Sequence, residues 1–170
     1  MRWLMLVLAL LTFSVHAEVR DPQAYFFMPK LGDFQEELAT AREEGKQGVL
    51  IMFEMEDCPF CYRMKHTILN RSEVQDWYRM HFLIYSMDVK GDAPITDFQG
   101  RATTEKAFAL ENRARATPVF LFFDPEGRPI VRFTGAAESE AEFMQLGHYV
   151  VEGAYKSMPF NVYKRQNRVK

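Results

Sequence analysis

Apolar positions along this chain follow two different periods, and the alternation between them predicts the elements. Phe34, Leu38 and Ala41 recur at helical spacing behind Asp33 and Glu36, a pair placed to cap a helix near 33–44, and Gly45 stops it. The run Gly48 to Glu54 is then almost wholly apolar and rich in β-formers, which predicts a buried strand. Cys61, Met64 and Ile68 return to helical spacing from Pro59 to about Leu69, until Asn70-Arg71-Ser72 interrupts. Ser72 with Gln75 reads as a second cap, opening a short helix that turns Val74, Trp77 and Tyr78 inward, and Phe82 to Met87 is a second buried strand. Further on, a helix near Thr104 to Asn112 carries Phe108 toward the core. Val119 to Phe123 is too apolar to lie anywhere but centrally, and the turn-forming Asp124-Pro125-Glu126-Gly127 returns Pro129 to Phe133 as an antiparallel partner. Ser139 with Glu142 caps a last helix whose Phe143, Leu146, Val150 and Ala154 share one face. This order predicts an α/β fold with a central mixed β-sheet and helices on both faces.

Three stretches lack either period. Residues 18–32 hold Pro22, Pro29 and Gly32 around Tyr25-Phe26-Phe27 and read as an extended N-terminal arm packed on the domain proper, 33–156. Residues 89–102 read as a surface excursion. Ile95 and Phe98 in it are large and apolar, so it packs against something. One expectation places it beside the reactive centre, where it helps choose substrates; the alternative is that the two residues only anchor it to the far edge of the sheet. Residues 157–170, with Lys164, Arg165, Arg168 and Lys170, read as a basic, mobile C-terminal tail.

Composition sharpens this picture at the N-terminus. Arg2, an apolar run from Trp3 to Phe13, and Val15-His16-Ala17 resemble a secretory signal peptide at 1–17, cleaved near Ala17. The run falls short of the roughly 20 residues that a spanning helix needs; an uncleaved anchor is the alternative. Cleavage puts the mature protein in the periplasm or another exported compartment. It removes one of 21 Lys and Arg and none of 23 Asp and Glu, so the net charge moves from −2 to −3. That balance argues against nucleic-acid binding. With 48% hydrophobic residues and no internal shift of composition, 170 residues suit a single core.

Candidate chemistry rests on the chain's two cysteines, Cys58 and Cys61, in Asp57-Cys58-Pro59-Phe60-Cys61-Tyr62. They fall where a strand hands over to a helix. There the unpaired N–H groups of the first turn favour a thiolate at Cys58, while Glu54, Glu56 and Asp57 oppose it. Pro59 suits the first helical position. Three residues apart, Cys61 shares the face of Cys58 and can close a short disulfide. A bridge over two intervening residues removes little entropy from the unfolded chain, so a purely structural staple is a weak reading. Cys58 is therefore the candidate nucleophile and Cys61 the candidate resolving thiol. Two thiolates also suit Cu(I), although His66, His81 and His148 give no zinc spacing and Met52, Met55 and Met64 fit packing better than a copper site. A catalytically inactive binding module is the remaining alternative. No cofactor is expected.

The strand before Cys58-Pro59-Phe60-Cys61, Asp88 at the end of the next strand, Thr117-Pro118 before an aromatic strand, and the Asp124 to Gly127 turn together resemble the thioredoxin superfamily. The likeness covers about residues 33–156 and is nearest the exported, thioredoxin-related SoxW type. It implies a thioredoxin-like fold and a disulfide reductase or exchange enzyme with a redox-active Cys58–Cys61 pair. It also implies a cis bond at Thr117-Pro118 whose loop faces the cysteines. Protein substrates bearing disulfides and a membrane electron donor follow from the same likeness, and the protein is expected to be a monomer. In typical thioredoxins a buried aspartate and a lysine partner occupy the positions of Met52 and Ile84 here. Both are apolar in this chain, so Glu54, on the same strand face and nearer the cysteines, becomes the candidate base for Cys61.

Overall fold

The computed structural model describes residues 18–30 and 32–167. The segment read as a signal peptide, 1–17, and the tail positions Arg168 and Lys170 lie outside the described residues. The arm is not extended throughout. Asp21 accepts from the Gln23 N–H and caps one helical turn, α1 (Pro22–Tyr25). Phe26 and Phe27 follow it into the core. Backbone bonds from Arg20 N to Asn70 O (2.8 Å) and Met28 N to Ile84 O (2.7 Å) tie the arm down.

The elements then follow the predicted order: α2 (Phe34–Glu43), β1 (Val49–Glu54), α3 (Pro59–Thr67), α4 (Ser72–His81) and β2 (Leu83–Asp88). The Asp33 carboxylate caps α2 by accepting from the Gln35 and Glu36 N–H groups. The start of α4 differs from the expected cap. Ser72 is its first helical residue, Arg71 holds the cap position, and its side chain makes no capping hydrogen bond among the described residues. Gln75 is instead fully buried and donates to the carbonyls of Leu69 (2.8 Å) and Arg20 (3.2 Å), joining helix, loop and arm.

The excursion contains a ribbon of two three-residue strands, β3 (Pro94–Thr96) and β4 (Ala102–Thr104), paired antiparallel. Thr104 caps α5 (Glu105–Glu111). Next come β5 (Val119–Phe123), β6 (Pro129–Thr134) and α6 (Glu140–Val151), then a 3₁₀ turn at Ala154–Lys156 and α7 (Phe160–Gln166). The four-stranded sheet runs β2-β1-β5-β6, with β1 parallel to β2 and antiparallel to β5. β1 and β5 are covered on both faces, which is why their sequences are continuously apolar. Leu50, Met52, Ile84, Phe120 and Phe122 face α3, α4 and α6 together with both cysteines. Val49, Ile51, Phe53, Leu121 and Phe123 face α2 and α5.

Ile95 and Phe98 belong to this second cluster, with the Phe98 ring 4.5 Å from that of Phe123. The excursion therefore packs on the sheet face away from the disulfide, and the expectation that it folds beside the reactive centre is corrected. Its tip repeats the tip of the β5–β6 hairpin. In Asp97-Phe-Gln-Gly-Arg101 and Asp124-Pro-Glu-Gly-Arg128 the aspartate Oδ1 accepts from the N–H groups two and four residues on. Oδ2 accepts from the arginine Nε, at 2.6 and 2.8 Å. Gly100 and Gly127 take left-handed φ values of 79° and 76°. The two tips touch, since a Cβ on Gly127 would press into Phe98.

The tail is also corrected over residues 160–166. Phe160 and Tyr163 sit three apart and supply enough apolar surface to dock α7, burying Tyr163 5.3 Å from the ring of Tyr149. Lys164 closes the contact by pairing with Glu142 of α6. Burial works against the charged form of Glu142, but Lys164 and the Glu138 N–H (2.7 Å) overcome it and hold its carboxyl below the usual value. A carboxyl depressed on folding contributes stability above its unfolded value of 4.5 and loses it as pH falls through the folded value. Glu142→Gln should therefore destabilise the protein by about 1 kcal/mol near neutrality and by almost nothing at strongly acid pH. Thermal melts across the acid range would show the variant's shallower decline.

Candidate active site

β1 is buried to Phe53 and the chain leaves the sheet at Glu54, so the cysteine loop begins where burial ends. Cys58 takes the N-cap position of α3 and Pro59 its first turn. The two cysteines form a disulfide with Cα atoms 5.2 Å apart, and Cys58 Sγ accepts from the Cys61 N–H at 3.1 Å. Cys58 is 5% exposed and Cys61 2%. Once reduced, a Cys58 thiolate would keep that N–H and the positive end of the helix beside it. Phe60 and Tyr62 flank the pair in solvent, with the Arg63 guanidinium near the Phe60 ring and His66 stacked on Tyr62 at 3.8 Å.

The Thr117–Pro118 bond is cis. The pairing of Phe53 with Val119 sets this peptide at the sheet end from which the cysteine loop departs. The Pro118 carbonyl accepts from the Gly135 N–H at 2.8 Å, and the buried Thr117 hydroxyl oxygen has no hydrogen-bond partner among the described residues. Met52 and Ile84 are fully buried in the cluster that holds both cysteines.

A cavity of about 690 Å³ opens beside the disulfide and brings Cys58, Cys61 and Glu54 into one wall. Thr117 and Pro118 are not part of that wall. Lys65 Nζ lies 2.7 Å from the Glu54 carboxylate, and the Ser86 hydroxyl donates to the same group. Lys65 and Ser86 went unnoticed in the sequence although each left a signal. Lys65 follows Cys61 by four residues, one helical turn on the same face. Ser86 pairs in register with Met52, which puts it on the strand face of Glu54. Across the cavity Lys30 pairs with the buried Glu105, an arm-to-helix contact with no sequence signal. Burial lowers the Lys30 pKa, opposed by Asp88 and Glu54. Among the described residues no group of three or more His, Cys, Asp or Glu is placed to hold a metal ion, and no helix is long and apolar enough to cross a membrane.

A family model described as a thioredoxin-like domain matches residues 34–151. No curated protein matches the chain. Among solved structures, it is similar to a thioredoxin from Thermus thermophilus at 24% identity, over 81% of this chain and 95% of that one, with a TM-score of 0.55. A putative disulphide-isomerase from Bacteroides thetaiotaomicron is similar at 22% identity, over 75% and 94%, with a TM-score of 0.57. The DsbH oxidoreductase is similar at 20% identity, over 79% and 90%, with a TM-score of 0.55. At these identities the likeness speaks for the fold.

The Glu54–Lys65 pair is mostly buried, so removing one partner leaves the other charge uncompensated. Lys65→Met should lower the stability of the oxidised protein by about 1–3 kcal/mol. Adding Glu54→Gln should recover part of that loss, visible as a non-additive double-mutant cycle in urea unfolding midpoints.

Proposed function

Since the chain belongs to the thioredoxin-like domain family, we propose that it is an exported thiol-disulfide oxidoreductase of the SoxW type that reduces or exchanges protein disulfides. The observation that carries this is the Cys58–Cys61 disulfide at the start of α3 within that fold. Two structural neighbours, by name an oxidoreductase and a putative disulphide-isomerase, support the same chemistry. Export rests on the leader-like segment before Ala17, and a monomer working in the periplasm is the corresponding reading.

In the reductive direction the Cys58 thiolate attacks one sulfur of a substrate disulfide. The substrate's S–S bond breaks, one substrate thiolate leaves, and a mixed disulfide joins Cys58 to the other sulfur. Cys61 then loses its proton and attacks the Cys58 sulfur, which closes the internal bridge and releases the second substrate thiolate. Two electrons pass from the dithiol to the substrate, whose thiolates take up two protons. Glu54 is the proposed acceptor of the Cys61 proton, because its carboxylate lines the cavity that reaches Cys61. The loop at Thr117 and Pro118 is the proposed rest for the substrate backbone. A membrane electron donor then returns the pair to the dithiol. Phe60 offers no hydrogen bond to a Cys58 thiolate, which favours a reductase or exchange role over that of a strong oxidant.

Thiol trapping and insulin reduction test the assignment of roles. Cys58→Ser should lower reduction by at least about 100-fold, and Cys61→Ser should accumulate a mixed disulfide with substrate. Trapped complexes that form with Cys58→Ser and not with Cys61→Ser would reverse the roles.

A further inference from the structure

The arm precedes the span matched by the family model, yet Phe27, Met28, Pro29 and Lys30 build one side of the cavity beside the disulfide. The enclosure is therefore more than the shared domain would supply. Its wall mixes two kinds of lining. Phe27, Met28, Met55 and the Tyr62 ring give apolar surface. Among them stand two lysines and four carboxylates, a net charge of −2. Lys30 and Lys65 are already joined to Glu105 and Glu54. Glu56 and Asp88 have no salt-bridge partner among the described residues. A second, more open depression of about 320 Å³ shares Glu56, Cys58 and Tyr62 with it and adds Asp57 and Pro59. A chain joined to the Cys58 sulfur would thus lie over both hollows.

The occupant must match both kinds of lining. An anionic group would meet excess negative charge, and an apolar one would desolvate Glu56 and Asp88 without replacing their lost hydrogen bonds. A lysine or arginine side chain satisfies the whole wall. Its aliphatic stem covers Met28 and Met55, and its head reaches Glu56 and Asp88, the two lining carboxylates outside any salt bridge among the described residues. We propose that this cavity is the subsite for a basic side chain adjacent to the reactive cysteine of a protein substrate, so that the enzyme selects disulfides set in cationic segments. The inference rests on the oxidoreductase reading and specifies its substrate class.

The test uses the whole mature protein and two mixed-disulfide peptides that differ only in Lys or Glu beside the cysteine, with hydroxyethyl disulfide as an uncharged reference. The Lys peptide should be reduced with a kcat/KM about tenfold above that of the Glu peptide at low ionic strength, and high salt should narrow the gap. A Glu56→Lys, Asp88→Lys double variant, checked for folding by circular dichroism, should invert the preference. The milder Glu56→Gln and Asp88→Asn variants should each reduce it. Equal rates for the two peptides, or a preference untouched by all these variants, would overturn the subsite while leaving disulfide reduction intact. Failure to reduce even hydroxyethyl disulfide would overturn the oxidoreductase reading, and the subsite with it.

Discussion

The site depends on the burial of β1 between β2 and β5. Every residue of that strand up to Phe53 is inaccessible, and its two pairings fix the register of everything at its end. Opposite Phe53 on one side stands Val119, which puts the cis Thr117–Pro118 peptide at the mouth of the cysteine loop. On the other side Glu54 pairs with Asp88, which brings β2 to the rim of the cavity. A slip of β1 by one residue would turn Glu54 to the opposite face, away from Ser86 of β2, and Ile51 and Phe53 toward the disulfide. The apolar character of β1 and β5 on both faces makes such a slip costly, so the core that holds the fold also aligns the reactive end.

The ionisable pair of typical thioredoxins is replaced here in a physically consistent way. Met52 and Ile84 fill the deep positions with apolar volume, which removes two buried charges at once and strands neither. Charge returns one strand repeat outward, where Glu54 meets Lys65 and Ser86 beside a cavity that water can reach. A pair placed there retains part of its hydration, so its desolvation penalty is smaller than at the level of Met52.

Much of the architecture was legible because strong, redundant signals wrote it: apolar runs for β1, β2 and β5, caps at Asp33 and Ser139, and a turn at Asp124. The cysteine spacing located the reactive pair in the same way. Weaker signals were lost for identifiable reasons. β3 and β4 are three residues each, too short for a period of two to emerge. The basic composition of the tail masked Phe160 and Tyr163, although their spacing is helical. Ser72 resembled a cap because Gln75 follows it by three, yet Gln75 is held inside by carbonyls that only the folded arm and loop bring near. The Lys30–Glu105 contact spans 75 positions and is a product of tertiary packing alone.

The paired tips at Asp97–Arg101 and Asp124–Arg128 carry a consequence for durability. Exposed hairpin ends are where proteases usually cut, because their backbone can be drawn out into an extended strand. In both tips here an aspartate occupies the amides that such a strand would have to offer, and an arginine clasps the aspartate from outside. These two tips are thus poor protease substrates, and a cut that inactivates the protein would have to fall elsewhere on the chain.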